Sequence, residues 1–416
     1  MQPPHKIAII GGGPAGSTLA ALLSRAGCAV ALFHRGKRPP IIVGESLVPA
    51  VVPFLRELDI EEEVAGYGVL KQGATFVFNP QERLNIKFAE VRGARTTYSY
   101  NVPRDLFDAT LLAAAERSGA TVFRRSAHLQ RIGDSDRVCL DAESLAEAAP
   151  VFGGDEPDFI VDAGGRTHKI PGLFGIPHLD GARRDTALHA HVTGVEVEIP
   201  GNVHTDRLAH GWAWRIPLPG RVSVGFVVNT EYIQKFGNTP EEQYDNYLRH
   251  DPIIRTWAAP AARVTPVVKY TNYQRRTLRG AGENWALVGD TFGFIDPVFS
   301  SGVLIAFQSA AALAEALRDA SPRALLRYQA FVLKNLRAWQ RIADYFYSGN
   351  LLTLFKIGDQ IRRTRVGKLL DFHFRKYMSR IFTGENTTNR YSLGLVGFMA
   401  KYGLPPGCDP SELRIH

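Results

Sequence analysis

The apolar run Lys6-Ile-Ala-Ile-Ile10 leads straight into Gly11-Gly12-Gly13-Pro14-Ala15-Gly16, and the chain then continues as an Ala/Leu-rich segment. A β-branched strand that enters a G-x-G-x-x-G turn and leaves as a helix leaves few folds open. The glycines permit the tight turn and let backbone approach a pyrophosphate, which the helix N-terminus stabilises. With a following strand over 28–33, the opening reads as a βαβ unit with Gly11, Gly13, Pro14, Ala15 and Gly16 as cofactor-binding candidates. Such a unit normally closes its second strand with an acid for the ribose hydroxyls. Here it closes Phe33-His34-Arg35, so the contact falls to His34 as a neutral acceptor, or to Arg35 and solvent.

Residues 7–24 carry no charge, but their four glycines and one proline fit strand, turn and helix rather than a signal peptide or membrane span. At 416 residues, 45% hydrophobic and 22% charged, the chain is expected to fold as two intertwined lobes. Cys28, Cys139 and Cys408 form no CxxC and no cysteine/histidine cluster, so a reducing, cytoplasmic setting and no metal are expected. The formal charge of +8 is uneven: residues 356–380 hold eight Lys/Arg against Asp359 and Asp371, a net +6. A solvated helical face is the favoured reading and a dock for an acidic partner the sharper one. Nucleic acid is not expected, because stacking aromatics are not interleaved with these charges.

Helices are predicted over 48–58 and over 103–118, where Pro103 opens and Gly119 closes the segment. Strands are predicted over 74–79, 84–89 and 159–161, the last running into Asp162-Ala-Gly164-Gly165. Residues 186–229 are β-rich with Pro200-Gly201 and Pro219-Gly220 turns; a helix follows over 240–255, and the chain is mostly helical after 322. The Ala/Glu/Gly-rich stretch 142–157 reads as a surface excursion.

Four further stretches carry chemistry. A strand beginning at Trp285 ends in Gly289-Asp290, passes through Phe294-Ile-Asp296-Pro297-Val-Phe299-Ser300-Ser301-Gly302, and enters the helical run that starts at Val303. That layout aims backbone N–H groups and a helix N-terminus at one small space, suited to an anion or an electron-rich ring. Gly44-Glu45-Ser46 precedes a helix; Lys71 enters a largely apolar strand; Trp212-Ala-Trp214-Arg-Ile216-Pro217 puts both indoles on one side of a strand, as a core wall also requires.

The Gly-Asp290 element far from the first glycine motif, Arg104 at a helix start and Asp162-Ala-Gly164 together resemble the single-component flavoprotein monooxygenases over about residues 5–330. The GES element, the WxWxIP signature and the Phe294–Gly302 pattern, in that order, narrow the resemblance to flavin-dependent halogenases. The implied fold is α/β: an FAD-binding Rossmann-like domain of the p-hydroxybenzoate hydroxylase type, a β-rich substrate lobe and a helical C-terminal region. The matching division is residues 1–180 with 280–335 for the FAD domain, 181–279 for the substrate lobe (with strands at about 70–102 added to it), and 336–416 for the helical region.

The resemblance implies that Glu45, Ser46, Arg104, Asp290, Gly302 and Val303 border FAD, that the N–H groups of Ser301 and Gly302 hold chloride or bromide, and that Trp212 and Trp214 shield the flavin. FADH2 and O2 would give a C4a-hydroperoxide, halide would become hypohalous acid, and Lys71 would relay it to an electron-rich ring. Tryptophan-type members carry a glutamate where this chain has Phe299, which favours a phenolic, pyrrolic or aryl substrate, free or tethered to an acidic carrier protein. Only one nucleotide fingerprint is present, so a separate flavin reductase is expected to supply FADH2. An aromatic hydroxylase of the same fold is the rival; for it Lys71 would be a surface charge.

Overall fold

The computed structural model describes residues 3–36, 41–319, 321–362, 379–385, 387, 389–402, 404 and 408–416. Its first layer is a parallel sheet of five strands in the order Trp285–Leu287, Phe159–Asp162, Lys6–Ile10, Ala29–Phe33 and Thr121–Phe123. Parallel strands covered on both faces need continuous apolar runs, and Ile7 to Ile10 are all buried. The helix Pro14–Arg25 starts with proline in its first turn and packs against both Arg104–Arg117 and Gly302–Asp319. The long helix Pro322–Tyr347, capped by the Ser321 side chain, lies on Gly302–Asp319.

The second layer is a sheet built around Asp185–Thr193, Arg221–Asn229, Gly211–Leu218, Val203–Leu208, Gly73–Asn79 and Glu82–Lys87. All its pairings are antiparallel except Val203–Leu208 with Gly73–Asn79. Alternation along the strands sorts its faces. Leu188, Ala190, Val224 and Phe226 form a separate core with Tyr244 and Tyr247 of the helix Pro240–His250. His189, His191, Trp212, Trp214 and Ile216 occupy the opposite face. The α/β class and the flavoprotein-type fold expected above are both observed.

Three local expectations are corrected. Residues 142–157 are not merely an excursion: Ala142–Phe152 is a helix, because Asp141 accepts from Ser144 N and Gly153 closes it in the left-handed region (φ 67°). The helix expected over 240–255 stops at His250, since Asp251 precedes Pro252 and is held extended. The strand expected over 84–89 begins at Glu82, where the Asn79 side chain accepts from Gln81 and Glu82 N–H groups, and ends at Lys87 in a 3-10 turn, Phe88–Glu90.

Most of the basic stretch 356–380 lies outside the described residues. Of its charges, Lys356 pairs with Glu82 (3.0 Å) and Arg380 with Glu385 (2.6 Å). Among the described residues no helix is long and apolar enough to cross a membrane, and no group of three or more His, Cys, Asp or Glu could hold a metal ion.

Candidate functional site

A cavity of about 570 Å³ opens between the parallel sheet and the Trp212/Trp214 face of the second sheet. Its lining includes Gly11, Gly13, Pro14, Ala15, His34 and Arg35 from the first βαβ unit, Glu45, Ser46, Arg104 and Asp290, and Trp212, Trp214, Ser301, Gly302 and Val303. Two sequence-predicted residues stand behind this wall rather than in it: Gly16 and Lys71.

The glycines divide by what a side chain would meet. Gly11 (φ +120°) would collide with Ala163 O, and Gly16 with Gly11 O, so these two hold the strand–turn–helix packing together. At Gly13 and at Gly302 a β-carbon would meet nothing within 4 Å. Each lies at the start of a helix, Pro14–Arg25 and Gly302–Asp319, whose first N–H groups lack intrahelical partners. Two anion-favouring ends therefore border one cavity, each with its nearest side chain left out. A dinucleotide pyrophosphate at the first and a ring or halide at the second fit that space.

The carboxylates here are constrained. Arg104 Nε reaches Asp108 Oδ1 (3.0 Å) within one helical turn, and the same guanidinium donates to Val43 O, which ties the loop before Gly44 to the helix. Burial pushes Asp290 up to about 6, against Arg104 and Arg166, which pull it down. Asp162 is engaged locally: it accepts from Gly164 N (3.0 Å) and Ile170 N (2.9 Å), and shapes the turn that follows its strand.

Lys71 ends the strand Val69–Lys71, paired with Ser99, while Ser46 bridges Asn101 of the same partner strand. That shared partner strand brings the two together: Lys71 Nζ donates to Ser46 Oγ (2.8 Å) and Leu47 O (2.9 Å). The side chain is 2% exposed, with the Phe88 ring centroid 5.6 Å from Nζ. Desolvation brings the amine down to about 7, and Ser46 stands between it and the cavity.

Several residues that sequence reasoning missed hold this site. Arg221 Nε can only donate, and it meets His191 Nδ1 at 3.0 Å; His191 Nε2 therefore carries the ring proton and donates to Glu45 Oε1 at 2.6 Å. Asp296, buried at the cavity edge, accepts from Tyr347 Oη (2.7 Å), Tyr273 Oη (3.3 Å) and Gln274 Nε2 (3.3 Å), and burial pushes it up to about 6. Only the Arg104/Asp108 spacing of i, i+4 was available as a sequence signal.

A family model described as tryptophan halogenase matches residues 6–94 and 78–350. The chain is 30% identical over 385 residues to the tryptophan 2-halogenase of Chondromyces crocatus, covering 87% of this chain and 72% of that protein. It is 26% identical over 402 residues to the 1H-pyrrole-2-carbonyl-(peptidyl-carrier protein) chlorinase of Pseudomonas fluorescens, covering 88% of each. Among solved structures, the flavin-dependent brominase Bmp2 superposes with a TM-score of 0.78 at 20% identity over 96% of this chain and 99% of that one, a likeness of fold. The myxobacterial chondrochloren halogenase CndH gives 0.68 at 25% identity over 98% of each chain. With its cavity, its signature motifs and these relatives in agreement, the chain belongs to the tryptophan-halogenase family of flavin-dependent halogenases and is an enzyme of that type.

Proposed function

We propose that this enzyme oxidises chloride or bromide to hypohalous acid and directs it, by way of Lys71, to an electron-rich aromatic ring. The observation that carries the reading is the pair of helix starts on one cavity, at Gly13 and Gly302, each with room where a side chain would be. FAD, bound reduced and meeting O2, supplies the oxidising equivalent. Gly11, Gly13, Pro14 and Ala15 would hold its pyrophosphate, with Gly16 behind them keeping the turn closed, His34 and Arg35 would face its ribose, and Glu45, Ser46, Arg104, Asp290 and Val303 would border the rest.

The N–H groups of Ser301 and Gly302 hold the halide, partly stripped of water so that hydration does not damp its nucleophilicity. Trp212 and Trp214 fill the space between flavin and substrate and keep the oxidant from the ring until halide has been consumed. Lys71, buried and brought down to about 7, exchanges protons readily at neutral pH. With Ser46 it can hand on a hydrogen bond that polarises the oxidant.

FADH2 comes from a separate flavin reductase, in keeping with the single glycine fingerprint of the sequence. The acceptor class is phenolic, pyrrolic or aryl, free or carrier-bound; the pyrrolyl-carrier chlorinase, matched along 88% of its length, supports a tethered ring. The tryptophan 2-halogenase relative makes indole the competing acceptor. The test supplies FADH2, O2 and chloride, bromide or neither to the enzyme with a phenol, tryptophan or a pyrrolyl-loaded carrier protein. Halide-dependent halogenated product that Lys71→Ala loses while keeping FAD is expected. Halide-independent oxygenation would move the enzyme to the hydroxylases.

A further inference from the structure

The shielding wall and the halide loop come from parts of the chain far apart, and one hydroxyl touches both. Trp212 Nε1 donates to Tyr347 Oη (2.9 Å), and Tyr347 Oη donates to Asp296 Oδ2 (2.7 Å). Asp296 Oδ1 accepts from Val298 N (3.0 Å), which sets the turn Pro297–Phe299 that delivers Ser300 in the left-handed region (φ 56°) and Ser301 to the helix start. Trp212 and Asp296 line the cavity; Tyr347 lies behind them, at the end of the long helix.

A phenol has one proton and two lone pairs, so it can accept from an indole and donate to a carboxylate at the same time. Tyr347 is also fixed from outside the site. Its carbonyl accepts from Ile415 N (2.9 Å). The Arg183 guanidinium lies 4.0 Å from its ring centroid, paired with Asp185 (2.7 Å) and donating to Ile415 O (3.2 Å). Tyr328 of the same helix makes the contrast: its hydroxyl, equally buried, is satisfied by the carbonyl of Leu287 and joins no two parts of the site.

We propose that Tyr347 is a positioning residue that couples the tryptophan wall to the halide loop, so that the seat of Trp212 and the backbone presented by Ser301 and Gly302 are set together. This rests on the halide reading above. It predicts that a change at Trp212, which lies on another strand, is felt by the halide only while Tyr347 has its hydroxyl.

The experiment titrates the FAD-loaded enzyme with bromide, reading the change in flavin absorbance, for Tyr347→Phe, Trp212→Phe, the double variant and Tyr328→Phe. Tyr347→Phe is expected to weaken bromide about tenfold and Trp212→Phe about threefold, with the double variant no weaker than Tyr347→Phe and Tyr328→Phe like the parent. Equal effects of Trp212→Phe with and without the Tyr347 hydroxyl, or a Tyr347→Phe enzyme that binds bromide like Tyr328→Phe, would overturn the coupling and leave the halide site standing. Absence of any bromide response in the parent would remove the halide site and the coupling together. Asp296→Asn, which keeps the cap on Val298 and loses the carboxylate, should weaken bromide as Tyr347→Phe does and serves where that variant does not accumulate.

Discussion

Trp214 and Gly225 are register partners on adjacent strands, and a β-carbon on Gly225 would collide with the indole and lie 2.5 Å from His189 Cβ. The wall is seated where it is because its neighbour has no side chain. Gly225→Ala should push the indole off the strand, at a cost of about 1–3 kcal/mol in urea unfolding. In turnover it should release more hydrogen peroxide per FADH2 consumed. Unchanged stability and unchanged coupling would show that the indole has another place to sit.

Lys71 gives a pH dependence with a defined sign. Below about 7 folded and unfolded chains both carry the ammonium, and the desolvation penalty is complete. Between about 7 and the ordinary lysine value the unfolded chain holds a proton that the folded chain lacks, so this residue makes stability rise with pH. Lys71→Met should therefore raise the melting temperature more at pH 6 than at pH 9.5. The parent's own advantage at the higher pH should disappear in the variant.

Gly13 and Gly302 offer substitutions that spare the fold. Neither needs a conformation forbidden to other residues, since neither has positive φ, and both face open space. Gly13→Ala should cost the apoprotein no more than about 1 kcal/mol as a poorer N-cap and weaken FAD about tenfold by fluorescence titration. Gly302→Val should raise the KM for bromide by a similar factor while FAD still binds.

Charge reversal at Arg362, Arg363 and Arg365, within the basic stretch, should raise KM for a carrier-bound ring several-fold more than for a free phenol. Equal effects on the two would leave no docking role for that charge.

Much of the nucleotide-binding half was legible because its signals are local. A β-branched strand, a glycine turn and a proline-started helix follow one another within twenty residues, and each is decided by its neighbours. The helix Ala142–Phe152 also carries local signals, its cap Asp141 and its stop Gly153, but its Ala/Glu/Gly composition is equally that of a surface excursion. The contacts that finish the site are tertiary. Nothing near Asp296 in the chain announces Tyr347, and nothing near Lys71 announces that Ser46 will share its partner strand and take its hydrogen bond. Nothing in the chain around Gly225 announces the indole that needs its missing side chain.

The parallel pairing of Gly73–Asn79 with Val203–Leu208 also orders events in time. During synthesis the first of these strands leaves the ribosome well before its partner exists, and contacts between distant segments form late in folding. Gly201, beside the second strand, closes against Leu70 and the Lys71 backbone only when that strand arrives. Lys71, whose dehydration opposes folding, thus has part of its cover supplied by a segment made much later, and a chain lacking that segment would hold a lysine closer to the ordinary one.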